Sequence, residues 1–177
     1  MSFNMYVPTR FVFGNGRLNE LNKQKMPGKK AILAISKGKS VRENGALDHT
    51  IEQLKKAGVE VTVFSGIGAN PTKTEVMDGA KFARDNKCDF IVALGGGSVM
   101  DASKAIAMMT TNDGDLWDYV GGKTGKEMPL VNNPLPIVCI TTTAGTGSEA
   151  DQWGVITNEE TNEKIGIGGY DSTFPVL

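Results

Sequence analysis

The residues best suited to chemistry form a glycine-rich stretch near the middle of the chain, Gly95–Ser98. It follows an apolar run that ends at Leu94 and precedes a helical pattern. Glycine permits a tight turn and lets an anion approach backbone N–H groups closely, and the start of a helix offers free N–H donors at the positive end of its dipole. The stretch therefore predicts a phosphate-binding loop. The alternative is an ordinary strand-to-helix turn, with Ser98 as N-cap and Asp101 completing a capping box.

A second flexible, polar stretch, Thr141–Glu149, also follows an apolar run. Hydroxyl groups at the carboxyl end of a parallel strand suit a ligand crevice, although alone such a stretch would be interpreted as a threonine-rich turn. Two such loops after two strands of one parallel sheet lie on the same edge, which favours a shared ligand site.

A third position, Asn70-Pro71, has a local explanation. Asn70 is a suitable helix N-cap, and Pro71 suits the first helical position.

Catalytic and metal-binding constellations are not evident in the sequence. His49 is the only histidine, and it lies off the apolar face of a helical pattern, Leu47–Leu54. No second histidine or nearby cysteine completes a metal site with it, and no Ser–His–Asp or Cys–His set can be built. The sequence predicts a binding site with no catalytic residue and no metal ligand.

The elements that must position these loops alternate along the chain. Strand patterns, apolar or alternating, occur at Arg10–Phe13, Ala31–Ile35, Val59–Val63, Phe90–Leu94 and Ile137–Ile140. Helical patterns occur at Leu47–Leu54, Pro71–Asn86 and Val99–Met109. Two short strands around a polar turn follow, Gly154–Thr157 and Lys164–Ile167. Alternating strands and helices imply βαβ units. The predicted fold is α/β, a Rossmann-like parallel sheet with helices on both faces and a C-terminal β-hairpin.

Composition is consistent with one globular domain. The chain has 177 residues, 40% hydrophobic and 22% charged, with a net charge of -1. The chain lacks the excess of basic residues that would indicate nucleic-acid binding. Its apolar runs are shorter than the roughly 18 residues that span a membrane. Met1–Met5 does not resemble a signal peptide, and Cys88 and Cys139 suggest buried thiols in a reducing compartment, so we expect a cytoplasmic protein. The apolar end, Thr173–Leu177, suggests a strand that continues or a terminal strand tucked into the sheet.

Together these motifs resemble the iron-dependent (group III) alcohol dehydrogenase family. The resemblance covers the chain from Pro8–Gly16 through Gly95–Asp101 to Thr142–Glu149, of which the last is the most specific. The triple glycine alone would also suit the dehydroquinate synthase relatives, which share the fold.

The resemblance implies a two-domain enzyme in which an N-terminal domain binds NAD or NADP. A C-terminal helical domain holds iron or zinc through one Asp and three His, and the metal polarises the alcohol or aldehyde oxygen during hydride transfer. Those ligands would lie beyond Leu177. We therefore expect residues 1–177 to form the dinucleotide-binding domain, to lack the metal-binding domain and to be inactive alone. The family commonly pairs subunits through N-terminal strands, so Phe11–Phe13 is expected to serve a homodimer.

Several residues are expected to bind the cofactor, from the glycine loop and by resemblance. They are Gly96, Gly97, Ser98 and Asp101 near the pyrophosphate, Thr142, Thr143 and Thr146 further along, and Lys164 and Asn70 beside the cofactor.

The loop after Ala31–Ile35 predicts NADP(H) rather than NAD(H). NAD-preferring relatives carry an Asp there, whereas here Ser36 occupies the position and no acid occurs between Ser36 and Glu43. The basic, flexible sequence that follows suits a 2′-phosphate, and the predicted contacts are Ser36, Gly38, Lys39 and Ser40. This resembles the NADP-using butanol dehydrogenase branch; the alternative is a solvated basic turn.

Two rival functions remain. One is a dehydroquinate-synthase-like lyase domain with bound NAD, which the stretch Thr142–Glu149 disfavours. The other is a stand-alone nucleotide-binding module, which the apolar C-terminus disfavours.

Overall fold

The computed structural model of the chain, which describes residues 2–177, contains the predicted parallel sheet. Its strands are β1 (Lys30–Ser36), β2 (Glu60–Ile67), β3 (Phe90–Gly95) and β4 (Ile137–Thr141), in the spatial order β2-β1-β3-β4. All three pairings are parallel. The α/β prediction is confirmed, and four of the five predicted strands fall on these elements.

Helices cover both faces of the sheet, as predicted. They are α1 (Ser40–Glu43), α2 (Ala46–Lys56), α3 (Lys73–Asp85), α4 (Gly97–Thr111) and α5 (Leu116–Tyr119), with 3-10 turns at Arg17–Lys23 and Asp171–Thr173. Side chains of a strand alternate between faces, and this alternation divides the core. Ile32 and Ile91 pack in one cluster with Ile106 of α4, whereas Leu33 and Val92 join the cluster on the opposite face.

The predicted C-terminal hairpin is present and packs against α4. Its strands are β5 (Trp153–Asn158) and β6 (Glu163–Gly168), paired antiparallel. A Cβ added to Gly154 would lie 2.9 Å from the Cα of Asp101, so glycine is needed for this close approach. The Thr157 N–H also donates to the Pro71 carbonyl at 2.9 Å. The hairpin is thereby fixed to the sheet edge from which α3 and α4 begin.

The predicted strand at Arg10–Phe13 is wrong. This segment forms no strand, because its described backbone pairing is limited to the Arg10 N–H bonded to the Val176 carbonyl at 3.3 Å. Phe11 is 58% and Phe13 97% exposed. At the other end, Val176 donates to the Ile137 carbonyl at 2.8 Å, so the apolar C-terminal residues lie beside β4.

The prediction that Asn70 caps α3 and that Pro71 is its first helical residue is also wrong. The cap is Thr72, whose hydroxyl accepts from the Glu75 N–H at 3.3 Å. The Glu75 carboxylate in turn accepts from the Thr72 N–H at 3.2 Å. This reciprocal capping box satisfies two backbone donors, where an asparagine cap would satisfy one.

Both cysteines are free thiols, Cys88 buried and Cys139 partly buried. Burial raises the pKa of Cys139 to about 12. None of the helices in residues 2–177 has the length and apolar character that a bilayer crossing requires.

Candidate functional site

The four parallel strands bring the predicted loops to one edge of the sheet. Ser36, the last residue of β1, is in register with Ile67 at the end of β2. Gly95, the last residue of β3, is paired with Thr141 at the end of β4. Since carboxyl ends of parallel strands share an edge, the segments after all four strands border one crevice.

The glycine loop leads into the uncapped start of α4. Its N-cap is Gly96, in an extended conformation (φ -89, ψ -170), and no side chain caps the helix. The alternative of a local capping box is therefore wrong: the Ser98 hydroxyl donates to the Ala69 carbonyl instead. Such a start presents backbone donors and the positive end of the helix dipole to the crevice, as an anion site requires.

The threonine-rich loop, Thr141–Glu149, forms the opposite wall of the crevice. A Cβ on Gly97 would lie 2.9 Å from the Cγ2 of Thr146, and one on Gly96 would lie 3.1 Å from the Oγ1 of Thr143. The Thr142 N–H holds the two loops together by donating to the Gly95 carbonyl at 2.9 Å. Thr142, Thr143 and Thr146 are all exposed. Because Gly96 and Gly97 have no side chains, the last two of these threonines approach the backbone of the glycine loop closely, and their hydroxyls lie beside it.

Asp101 lies one turn into α4 and binds neighbouring protein groups. One carboxylate oxygen accepts from the Ser148 hydroxyl at 2.7 Å and the other accepts from the Val155 N–H at 3.0 Å. Asp101 therefore joins α4 to the end of the threonine-rich loop and to β5.

The hairpin and the loop after β2 meet across the crevice. The Lys164 ammonium donates to the Asn70 side-chain oxygen at 2.9 Å, although 94 positions separate them in the sequence. Both side chains are exposed. The structure thus brings together two residues that the sequence analysis placed beside the cofactor.

The loop predicted to favour NADP(H) follows β1. Lys39 and Gly38 are exposed, as is Ser40 at the start of α1, and Arg42 donates to the Gly38 carbonyl at 2.9 Å. Lys37, however, forms a salt bridge with Glu75, so only part of the predicted positive charge is unpaired.

Glu75 was missed as a neighbour of this loop, since its sequence signal is only that of a helix start. Burial opposes its ionisation, yet hydrogen bonds from Lys37 and from the N–H groups of Gly68 and Thr72 hold the pKa of Glu75 below its usual value. A permanent negative charge therefore stands beside Lys37.

Lys104 was also missed, although it interrupts the apolar helical run Ala102–Met109. It is completely buried, and its ammonium contacts Ser148, Asp151 and the Trp153 carbonyl.

The described residues fit a dinucleotide but not a catalytic metal. Within residues 2–177 no group of three or more His, Cys, Asp or Glu side chains could hold a metal ion. His49, the only histidine, lies 3.8 Å from Glu52 on α2. A set of backbone donors, hydroxyls and one ammonium around a side-chain-free wall instead suits an anionic, hydroxyl-rich ligand.

The fold is that of an α/β protein whose candidate ligand site lies at the carboxyl edge of a parallel sheet. Residues 8–177 match the family model of iron-containing alcohol dehydrogenases, and the chain belongs to that family. The family match favours this assignment over a dehydroquinate-synthase-like lyase.

Individual relatives agree with the family. The chain is 41% identical over 173 residues to a 1,3-propanediol dehydrogenase of Klebsiella pneumoniae, covering 94% of this chain and 43% of that protein. It is 35% identical over 165 residues to an NADPH-dependent aldehyde reductase of Escherichia coli, covering 92% and 41%. The crystal structure of an NADH-dependent butanol dehydrogenase A of Thermotoga maritima superposes with a TM-score of 0.89 at 32% identity, covering 99% and 43%. The chain thus spans less than half the length of these relatives.

Proposed function

We propose that this chain binds NAD(P)(H) for an oxidoreductase that interconverts an alcohol and an aldehyde. The carrying observation is the uncapped start of α4, where Gly96 and Gly97 face the threonine-rich loop. When bound, the cofactor supplies or accepts hydride at its nicotinamide. The chain's own residues bind and orient it.

Pyrophosphate binding is assigned to the two facing loops. The α4 N-terminus supplies backbone N–H donors and the threonines supply hydroxyls. Asn70 and Lys164 border the crevice from the hairpin side, and Asp101 holds the walls in register. The assigned set is Gly96, Gly97, Ser98, Thr142, Thr143 and Thr146, with Asn70, Asp101 and Lys164.

Binding is tested by titrating the 177-residue chain with NADH and NADPH while monitoring nicotinamide fluorescence. The proposal expects saturable binding of at least one dinucleotide, competed by its oxidised form. A folded chain that binds neither would refute the proposed function.

We propose that residues 1–177 do not carry the metal-dependent chemistry of the family. The described residues contain no cluster that fits the metal, and the relatives are more than twice as long as the matched segment. We expect the chain to bind cofactor but not to oxidise alcohols when iron or zinc is added. Steady, metal-dependent reduction of NAD(P) by the purified chain would contradict this assignment.

For the adenosine end we propose a preference for NADP(H). Ser36 ends β1 where an acid would repel a 2′-phosphate, and Lys39 and Ser40 are exposed nearby. The names of the relatives point both ways: several butanol dehydrogenases are named NADH-dependent, whereas the E. coli reductase is named NADPH-dependent.

Calorimetric titration with NADP and NAD at matched ionic strength decides the preference. A charge-assisted phosphate contact contributes about 1.5–3 kcal/mol, which is roughly tenfold to a hundredfold in affinity. Ser36→Asp should reverse the ratio. Equal or tighter binding of NAD by the unmodified chain would rule the preference out.

We also propose that the N-terminal segment pairs two copies of the chain. Phe11 and Phe13 are large apolar side chains held in solvent, which is typical of a surface that another protein covers. Light scattering should give the mass of a dimer for the unmodified chain and of a monomer for Phe13→Asp. A monomeric unmodified chain would reject this proposal.

Finally, we infer a cytoplasmic location from the two free thiols, Cys88 and Cys139, because free cysteines persist in reducing compartments. Cell fractionation with an antibody to the protein tests this location.

A further inference from the structure

A buried cation lies directly behind the proposed cofactor crevice. Lys104 of α4 has no solvent exposure. Its ammonium donates to the Trp153 carbonyl at 2.6 Å, to the Asp151 carboxylate at 2.7 Å and to the Ser148 hydroxyl at 3.0 Å. An ammonium has three N–H donors, and all three are used. Burying a cation is costly without such partners. The Lys104 ammonium therefore favours conformations in which all three partner groups stay within hydrogen-bonding distance.

Its three partners belong to the segments that border the crevice. Ser148 lies near the end of the threonine-rich loop, Asp151 follows the loop, and Trp153 begins β5. Ser148 also donates to Asp101, one turn into α4, at 2.7 Å. Lys104 and Asp101 therefore hold the far end of the threonine-rich loop from two positions on one rigid helix.

The threonine-rich loop gains from such an anchor because it contains two glycines, which restrict the backbone least. Gly145 and Gly147 adopt positive φ values of 121 and 72, a conformation that glycine reaches easily and leaves easily. A loop ordered before the ligand arrives loses less conformational entropy on binding.

We propose that Lys104 is a positioning residue for the cofactor. Through Ser148 and Asp151 it holds the threonine-rich loop in its binding conformation. It does not touch the cofactor, because it is enclosed by protein, and Asp151 compensates its charge. The proposal rests on the proposed function, since it concerns how tightly the same crevice binds NAD(P)(H).

Lys104→Met tests the proposal by removing the ammonium while keeping much of the side chain's length. We expect the Kd for the better-bound reduced cofactor to rise by about tenfold. Amide hydrogen exchange should become faster in residues 142–148 and stay unchanged in β3, and saturating cofactor should restore the protection. The dependence of Kd on salt should not change, because no phosphate contact is lost.

Ser148→Ala is the second variant, and it leaves the ion pair of Lys104 with Asp151 intact. It also removes the bond from the Ser148 hydroxyl to Asp101, so it should weaken binding on its own. The rise in Kd of the double variant should be smaller than the product of the two single rises, because Lys104 and Ser148 share one contact.

Lys73→Met is the matched control. Lys73 is a nearly buried lysine that bridges Asp115 at 3.3 Å and Glu160 at 3.0 Å, at the turn of the hairpin rather than at the threonine-rich loop. It should lower the melting temperature without changing Kd.

The outcomes separate this proposal from the proposed function. Wild-type Kd in folded Lys104→Met, an equal rise of Kd in Lys73→Met, or a smaller salt dependence in Lys104→Met would each overturn the positioning role. Failure of the unmodified chain to bind NADH or NADPH would refute the proposed function instead. In that case unchanged exchange of residues 142–148 in Lys104→Met would overturn the anchoring role, and faster exchange there would support it.

Discussion

Replacing Gly96 with valine should remove cofactor binding and leave the fold intact. The residue is extended, with φ -89 and ψ -170, so a side chain introduces no left-handed strain. Its Cβ would lie 3.1 Å from the Oγ1 of Thr143, and Thr143 is exposed and can move aside. The valine methyl groups would then project into the space assigned to the pyrophosphate.

The size of the effect follows from the contacts that valine would block. A hydrogen bond to a charged group contributes about 1.5–3 kcal/mol. Losing two backbone donors to the pyrophosphate amounts to roughly 3–6 kcal/mol, or about a hundredfold to ten-thousandfold in Kd.

Fluorescence titration with NADPH and NADH measures the change. The control is Gly121→Val, an exposed glycine whose added Cβ would meet no atom closer than the Oε1 of Glu127 at 3.6 Å. Circular dichroism and the melting temperature report folding of both variants. Wild-type affinity in a folded Gly96→Val protein would refute the assignment of the glycine loop to the pyrophosphate.

Three further predictions concern charge and stability. Glu75→Gln keeps a side chain suited to the capping box but releases Lys37, so the affinity for NADP relative to NAD should rise by about tenfold, and this gain should disappear in the Lys37→Met background. Thr72→Ala should lower the free energy of unfolding, measured in urea, by about 1 kcal/mol because the α3 cap is lost. Hydrogen bonds, foremost from Thr124, lower the pKa of Glu163 from 4.5 to about 2. The stability from this carboxylate is therefore present above pH 4.5 and lost as pH falls towards 2. In Glu163→Gln, the urea midpoint of unfolding should depend less on pH between 4.5 and 2.

Each of these has a clear contrary result. An unchanged cofactor ratio in Glu75→Gln would show that the Lys37 salt bridge does not influence specificity. Full stability of Thr72→Ala would show that the cap contributes nothing measurable. An equally steep acid dependence in Glu163→Gln would assign the loss of stability to other carboxylates.

The sequence alone was sufficient for the fold class and for placing the glycine loop and the threonine-rich loop after strands of one parallel sheet. Strands such as Phe90–Leu94 are buried on both faces, so every position is apolar and the pattern is unambiguous. The glycine loop and the threonine-rich loop could be recognised because each directly follows such a strand. Burial and local backbone geometry determine these features, and both leave a visible pattern of apolar and glycine residues in the sequence.

Tertiary structure alone decided the partners of the polar groups. Lys104 and Asp151 are 47 positions apart, and Lys164 and Asn70 are 94 positions apart. The spacing of residues along the chain does not predict such long-range pairs. The α3 cap is a different case, because Thr72 and Glu75 are only three positions apart and their capping-box spacing is already present in the sequence. Periodicity reports which side chains are buried, but the partner of a buried charge depends on which distant segments the packed core brings together.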